Sequence, residues 1–238
     1  AAGNASGTTN NASELIVDTV VPDSPTVIFP NSPTNNGTIT VTKASDAVSW
    51  EYSVDASNSW TPGTGTTFLL SEGTYAINVI QVRNTDAAGN ISGTTNNASE
   101  LIVDTTVPSN PTVVFPSGLT NTNVVTLTLS GSGVAWAYSI NGGNWIVGSN
   151  TTFSFTLDDG TYSIGAIKVR NTDAAGNHSE EVNTLEFTID TVPPSPPQVN
   201  FPTSAYTNNP RIDVTLSQDT VSWEYSLDGG NTWIQMTV

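Results

Sequence analysis

The sequence predicts an all-β chain of tandem β-sandwich domains, and three observations predict it. First, one long phrase recurs at a fixed spacing. Ala-Ala-Gly-Asn begins at Ala1, Ala87 and Ala174. Val-Asp-Thr stands at Val17 and Val103, with Ile189-Asp190-Thr191 in its place the third time, so the aspartates are 104 − 18 = 86 and 190 − 104 = 86 residues apart. Second, apolar residues alternate with polar ones at the two-residue period of a half-buried strand, and no segment carries helical periodicity. Third, these runs are short and separated by Gly, Asn and Pro turn signals. The long period is that of a compact domain, since solenoid coils repeat every 20–50 residues or so.

The unit from Asp18 to Asp104 shows the strands in order. Val27 and Phe29 alternate before Pro30, which suits an edge strand that stops at the proline. Ile39 and Val41 follow, repeated as Val125 and Leu127, then Ile212 and Val214. Val48, Trp50, Tyr52 and Val54 share one predicted face, and Ser49, Glu51 and Ser53 the other. A turn rich in Asp, Ser and Asn leads to Trp60. Thr66 to Leu70 is a short strand, Ser71-Glu72-Gly73 a turn, and Thr74 to Arg83 is predicted as the longest strand. Leu101 and Val103 close the unit, matched by Phe187 and Ile189. About seven short strands in one such unit indicate a Greek-key β-sandwich of immunoglobulin type. The inward Trp50, Trp136 and Trp223 would fill the space between sheets, without the disulfide found there in antibody domains. The expected organisation is the C-terminal strand region of a preceding repeat at 1–18, full repeats at 19–104 and 105–190, and the N-terminal part of a further repeat at 191–238.

Composition narrows the function. The 238 residues carry a formal net charge of −16 and no cysteine. The absence of Cys fits an exported bacterial protein or a chain that avoids thiol chemistry. The basic residues Lys43, Arg83, Lys168, Arg170 and Arg211 form no cluster, which argues against a nucleic-acid partner. No stretch is long and apolar enough to span a membrane, and residue 1 does not begin a signal peptide. The chain opens and closes inside a repeat, so it reads as a window cut from something longer. Abundant Thr, Ser, Asn and Gly do not make it disordered, because its apolar residues are ordered by period.

The phrases Trp-Glu-Tyr-Ser (50–53 and 223–226), Gly-Thr-Tyr (73–75 and 160–162), Val-Arg-Asn-Thr-Asp-Ala-Ala-Gly-Asn (82–90 and 169–177) and Asp-Thr-x-x-Pro resemble the bacterial Ig-like repeats of giant RTX-type and biofilm-associated adhesins. The resemblance covers essentially the whole chain. It implies a secreted, cell-surface array that extends an adhesive tip, with calcium at or near the junctions between modules. The tip domains, RTX nonapeptides and secretion signal of such adhesins do not occur in these 238 residues.

A physical reading places the same cation. Strands alternate in direction in such a sandwich, so Glu72 and Asp104 should share the lower end of one module. Asp173 and Asn177 should lie at the top of the next, across the Asp104–Pro108 linker. Oxygen ligands from several short loops, without His or Cys, suit Ca²⁺. The candidate ligands are Asp104 and Asp173 with Asn177 and Glu72, then Asp18 with Asp86 and Asn90 at the preceding junction, and Asp190 as the lower half of the next. The alternative is that these Asp residues only cap backbone N–H groups, as Asx-turns do.

Other signals point away from chemistry. Ser226-Leu-Asp-Gly-Gly-Asn-Thr-Trp233 fits an Asp-box, a hairpin turn whose Asp binds backbone and whose Trp packs. His178 aligns with Ile91 and Ala5, and no nucleophile elbow accompanies it, so no enzyme is expected. Asn-x-Ser/Thr sequons at Asn4, Asn90, Asn97 and Asn177 arise easily in so Asn-rich a sequence. Linker proline should limit bending. The expected role is a structural extender whose partners are its own neighbouring repeats. The alternatives are a self-assembling filament or biofilm matrix, and a glycan- or protein-binding module. The last would need an exposed aromatic patch, for which Trp60, Trp145 and Trp233 are the candidates.

Overall fold

The computed structural model describes residues 2–149, 151–203, 206–208 and 211–238. Ala1, Asn150, Ser204, Ala205, Asn209 and Pro210, which fall within the repeat spans read from sequence, lie outside the described residues. Every regular element among the described residues is a β-strand. By backbone proximity the chain falls into two compact units. The first comprises Ala1–Val114, Thr126–Ser154 and Gly165–Asn183, and the second Phe115–Val125, Phe155–Ile164 and Thr184–Val238.

The first unit holds a complete sandwich. Its strands are β1 (Thr26–Ile28), β2 (Thr38–Thr42), β3 (Ala47–Ser53), β4 (Thr61–Pro62), β5 (Thr67–Leu69), β6 (Gly73–Tyr75), β7 (Gln81–Asp86), β8 (Thr95–Asn96) and β9 (Leu101–Val103). One face is β1-β2-β5 with the pair β6-β9, and the other is β4-β3-β7-β8. Alternation sends Ile39 and Val41 of β2, Trp50 of β3, Phe68 of β5, Val82 of β7 and Leu101 and Val103 of β9 into one core. Tyr52 stacks on Phe68 with ring centroids 4.0 Å apart.

Two strand expectations need correction. Val48 does not share the face of Trp50; it is exposed, because a register shift between Ala47 and Ser49 inserts an extra residue opposite β7. Val54 also lies outside the core, just past the end of β3. The expected long strand from Thr74 to Arg83 is two strands, β6 and β7, paired in different sheets. Between them Asn78 adopts φ +64°. There the buried Asn97 accepts from Ile80 N–H (2.9 Å) and donates to the Ala76 carbonyl (2.8 Å), which lets the backbone pass from one sheet to the other.

The following phrase repeats these elements as β10 (Thr112–Val114), β11 (Gly118–Thr120), β12 (Val124–Thr128), β13 (Ala135–Ile140), β14 (Ile146–Val147), β15 (Ser154–Thr156), β16 (Gly160–Tyr162), β17 (Ile167–Thr172), β18 (His178–Val182) and β19 (Phe187–Ile189). Within the first unit, β14-β13-β17-β18 form one sheet, with Trp136 opposite Asn171 as Trp50 is opposite Asn84. Within the second unit, β19 pairs with β11 in parallel and with β16 antiparallel.

The second unit also contains two hairpins, β20 (Gln198–Asn200) with β21 (Asp213–Thr215) and β22 (Ser222–Tyr225) with β23 (Ile234–Thr237). Between them an apolar cleft of about 480 Å³ is lined by Val199, Phe201, Ile212, Val214, Trp223 and Trp233. Ile212, Val214 and Trp223 repeat Ile39, Val41 and Trp50, so the cleft is lined by the counterparts of core residues of the first sandwich. Leu15-Ile16-Val17 repeat Leu101-Ile102-Val103 but stay exposed and form no strand.

Candidate functional site at the linker

The segment Asp104–Pro108 joins two copies of the phrase inside the first unit, and side chains hold it from both ends. On the upstream side, Asp104 N–H donates to the Thr34 carbonyl at 2.9 Å, continuing a parallel bridge between Thr34 and Val103. Glu72, in the turn before β6, accepts from Thr105 Oγ1 and N–H (2.5 and 3.3 Å) and from Thr106 Oγ1 (2.9 Å). These bonds, led by the Thr105 hydroxyl, hold the Glu72 carboxyl below its ordinary value. Asp104 Oδ1 accepts from Thr106 N–H at 3.0 Å, an Asx-type turn at the start of the linker.

On the downstream side the loop after β17 reaches back. Asp173 Oδ1 accepts the N–H groups of Ala175 and Asn177, both at 2.9 Å, and this fixes the Asp-Ala-Ala-Gly-Asn loop. Asn177 Nδ2 then donates both to Asp173 Oδ2 (3.0 Å) and to the Asp104 carbonyl (2.8 Å). Further along, Asn171 Nδ2 and Ser179 Oγ each donate to the Ser109 carbonyl at 2.9 Å. A direct seam completes the junction: Asn35 N–H donates to the Ala175 carbonyl at 3.1 Å. Burial works against the charge on Asp173, yet the Asn177 amide and the loop N–H groups outweigh it and hold the carboxyl below its ordinary value.

The preceding junction repeats the downstream half. Asn90 Nδ2 donates to the Asp18 carbonyl (3.1 Å) and to Asp86 Oδ2 (2.9 Å), and Asn84 Nδ2 donates to the Asp23 carbonyl (2.9 Å). The Asp86 carboxyl is held low, chiefly by the Asn90 side chain. In the second unit Asp190 repeats the upstream half. Its N–H donates to the Thr120 carbonyl (3.0 Å), while Asp159, in the position of Glu72, accepts from Thr191 N–H and Oγ1 at 3.0 and 2.8 Å.

Of the eight residues singled out in the sequence, Asp18, Asp104 and Asp190 stand in linkers, Glu72, Asn90 and Asn177 bond to linker groups, and Asp86 and Asp173 hold Asn90 and Asn177 in turn. Sequence reasoning missed the grips by Asn84, Asn171 and Asn35, and the role of the linker threonines. Asn84 and Asn171 recur inside the Val-Arg-Asn-Thr-Asp phrase, and that recurrence was the available signal. The donor chemistry fits a hard cation, because every group around the linker is oxygen or amide. The Asp104 carbonyl and Asp173 Oδ2 converge on one point, held by the amide nitrogen of Asn177. No three His, Cys, Asp or Glu side chains gather among the described residues, so any cation there would draw on carbonyl and amide oxygens as well.

The remaining candidates have structural partners. The Arg83 guanidinium lies 3.8 Å from the centre of the Trp60 ring and is paired with Glu51 at 2.7 Å; that of Arg170 lies 4.3 Å from the Trp145 ring. Trp233 is 60% exposed. Asp228 accepts from Thr232 N–H and Oγ1 and from Ser226 Oγ, a closed hairpin turn that holds its pKa at about 2, with the Thr232 hydroxyl as the main cause. The exposed His178 shares a 2.9 Å hydrogen bond with Thr172 Oγ1.

Residues 106–191 match the family model of the bacterial Ig-like domain. That span runs from one gripped linker to the next and covers the copy of the repeated phrase that contains Trp136, Asn171 and Asn177. Among solved structures, the chain is similar to the fibronectin(III)-like modules of Clostridium thermocellum CbhA, with 15% identity over 69% of this chain and 94% of that one and a TM-score of 0.45. It is also similar to a 1.5-MDa bacterial ice-binding adhesin, with 16% identity over 71% of this chain and 66% of that one and a TM-score of 0.31. No curated protein matches the chain. The fold is that of tandem immunoglobulin-like β-sandwiches.

Proposed function

We propose that the chain is a non-catalytic spacer, a run of bacterial Ig-like modules in the extender of a secreted cell-surface adhesin that serves adhesion or biofilm formation. The observation that carries this reading is the two-sided grip on Asp104–Thr106. A linker held by Glu72 upstream and by Asn177 downstream transmits orientation from one module to the next, and a linker between independent binding modules would not need it. The partners of each module are then its neighbours in the same chain.

In this reading Ca²⁺ adds to the lock. Asp104, Asp173, Asn177 and Glu72 would hold it at one junction and Asp18, Asp86 and Asn90 at the preceding one, while Asp190 supplies the lower half of the next. Support comes from the repeated convergence of a linker carbonyl and a carboxylate oxygen on an Asn side chain, whose amide oxygen would serve a cation when the group is turned. Bound calcium would supply charge neutralisation in an acidic protein and stabilise the junction by mass action, about 2.7 kcal/mol at a hundredfold excess over the dissociation constant.

Small-angle scattering and thermal melting, each with calcium and with EDTA, test both parts. A defined inter-module distance that shortens or broadens in EDTA, with a lower melting temperature, is the expected result. An unchanged profile and melting curve would remove calcium and leave the spacer standing. Freely jointed scattering in both conditions would remove the spacer.

A further inference from the structure

The hairpin between β13 and β14 differs from its counterparts by one residue and one functional group. Five residues after the core tryptophan, the other copies carry Asp55 and Asp228, and this one carries Asn141. Asp55 Oδ1 accepts from Ser59 N–H (2.9 Å) and Oδ2 from Ser59 Oγ (2.6 Å), and Asp228 makes the same pair of bonds to Thr232. The turn at Asn141 is one residue shorter and lacks that Ser or Thr: Asn141-Gly-Gly-Asn runs straight into Trp145. Its amide group therefore has no hydrogen-bond partner among the described residues.

The backbone around it is open. Asn141 and Gly142 both have positive φ, +51° and +72°, and Gly143 N–H donates to the Ile140 carbonyl at 2.9 Å, which closes a tight turn. Both turn residues are exposed, and a Cβ on Gly142 would meet nothing within 4 Å. The Gly142 N–H has no acceptor among the described residues. The other Asn-Gly pair with a distinct setting, Asn36-Gly37, is its opposite. Asn36 Oδ1 accepts from Thr38 N–H (3.0 Å), Gly37 is buried with its carbonyl bonded to Leu70 N–H (3.0 Å), and a Cβ on Gly37 would stand 2.5 Å from the Leu70 carbonyl oxygen.

We propose that Asn141 is a site of spontaneous deamidation, which turns the second copy of this hairpin into one carrying an acid at the position of Asp55 and Asp228. The Gly142 backbone nitrogen gives up its proton and attacks Asn141 Cγ. The new N–C bond closes a five-membered succinimide as the Cγ–Nδ2 bond of Asn141 breaks and ammonia leaves. Water then opens the ring at either carbonyl, giving aspartate or isoaspartate. The balance is asparagine plus water to acid plus ammonia, with no oxidation or reduction. The step needs the turn to open, and the tip of a hairpin whose second strand is two residues long is a place of low local stability. Glycine at the next position leaves the attacking nitrogen unshielded. The isoaspartate form lengthens the backbone by one carbon in a turn that is one residue short, and so disturbs the seat of Trp145.

The test is peptide mapping of the full chain after storage in mildly alkaline buffer, folded and in urea, with Asn141→Gln as a control. The folded protein is expected to gain about one dalton at Asn141 at least ~10-fold faster than at Asn36, while in urea the two sites react at similar rates. The gain at 141 should vanish in the N141Q variant. Equal rates at both sites in the folded protein, or a gain at Asn36 that leads, would overturn the proposal. Tryptophan emission that drifts with the extent of reaction at Asn141 would confirm its effect on Trp145, and emission that stays constant would overturn that part.

Discussion

Gly148 lies flat against the indole of Trp136, so close that a Cβ there would come within 2.0 Å of the ring. Its N–H donates to the Trp136 carbonyl at 3.0 Å, and Trp136 Nε1 donates to the Ser149 carbonyl at 3.1 Å. The first copy repeats the arrangement: a Cβ on Gly63 would stand 2.3 Å from the Trp50 ring, and Trp50 Nε1 donates to the Gly65 carbonyl at 3.1 Å. In both copies the short strand after the hairpin folds over the core tryptophan, shields it and satisfies its only polar atom.

Gly148→Ala should therefore be strongly destabilising for so small a change. Overpacking of a filled core costs about 1–3 kcal/mol. Gly7→Ala, at a site where a Cβ meets nothing and φ is not restricted to glycine, is the neutral reference. Urea denaturation of the two variants side by side decides it. If G148A unfolds at the same midpoint as G7A, the packing account of Trp136 fails.

The strand pattern was legible because burial and alternation coincide in β2, β7 and β9, where Ile39, Val41, Val82, Leu101 and Val103 point inward in turn. It misled where the backbone departs from regular pleating. The extra residue at Val48 shifts the alternation by one, and no residue type at that point announces it. The break between β6 and β7 depends on Asn97, distant in sequence, which takes over backbone groups that a continuous strand would have bonded in its ladder.

Asn97→Ala is expected to unfasten that crossover. Asn97 is 2% exposed and makes three side-chain bonds, to Ile80 N–H, the Ala76 carbonyl and the Ser99 carbonyl. A buried group left without its partner costs about 1–3 kcal/mol. Hydrogen exchange should show the Ile80 amide losing protection, well beyond the change at Val41 in β2. Uniform loss at both amides would mean that Asn97 supports global stability alone and does not hold the crossover.

The junction was partly legible. Asp and Asn recurring at fixed offsets marked Asp86, Asn90, Asp173 and Asn177. The topology of alternating strands placed Glu72 beside Asp104. Asn35 was not legible, because a backbone N–H has no side-chain signature. Asn177→Ala removes the bonds to the Asp104 carbonyl and to Asp173 while the rest of the sandwich stays in place. The expected outcome is faster proteolysis within Asp104–Pro108 and a broader distance distribution between spin labels on β3 and β13. A cleavage rate and distribution identical to the wild type would show that Asn177 does not hold the linker.

Acid should loosen the protein in a defined window. Asp55, held at about 2 mainly by the Ser59 hydroxyl, and Glu72, Asp86 and Asp173, all held below their ordinary values, bind protons less readily folded than unfolded. Their contribution is complete above the ordinary carboxylate range and is lost as pH falls through the folded values. Stability should therefore be level from neutral pH down to about 5 and fall between there and about 2. Asp55 and Asp228, both held at about 2, account for the lowest part of that fall. Asp55→Asn removes the titrating group, so the pH slope below about 4 should flatten in that variant. Urea midpoints measured across the acid range for the wild type and the variant check this, and parallel curves would show that the Ser59 hydrogen bonds do not couple Asp55 to folding.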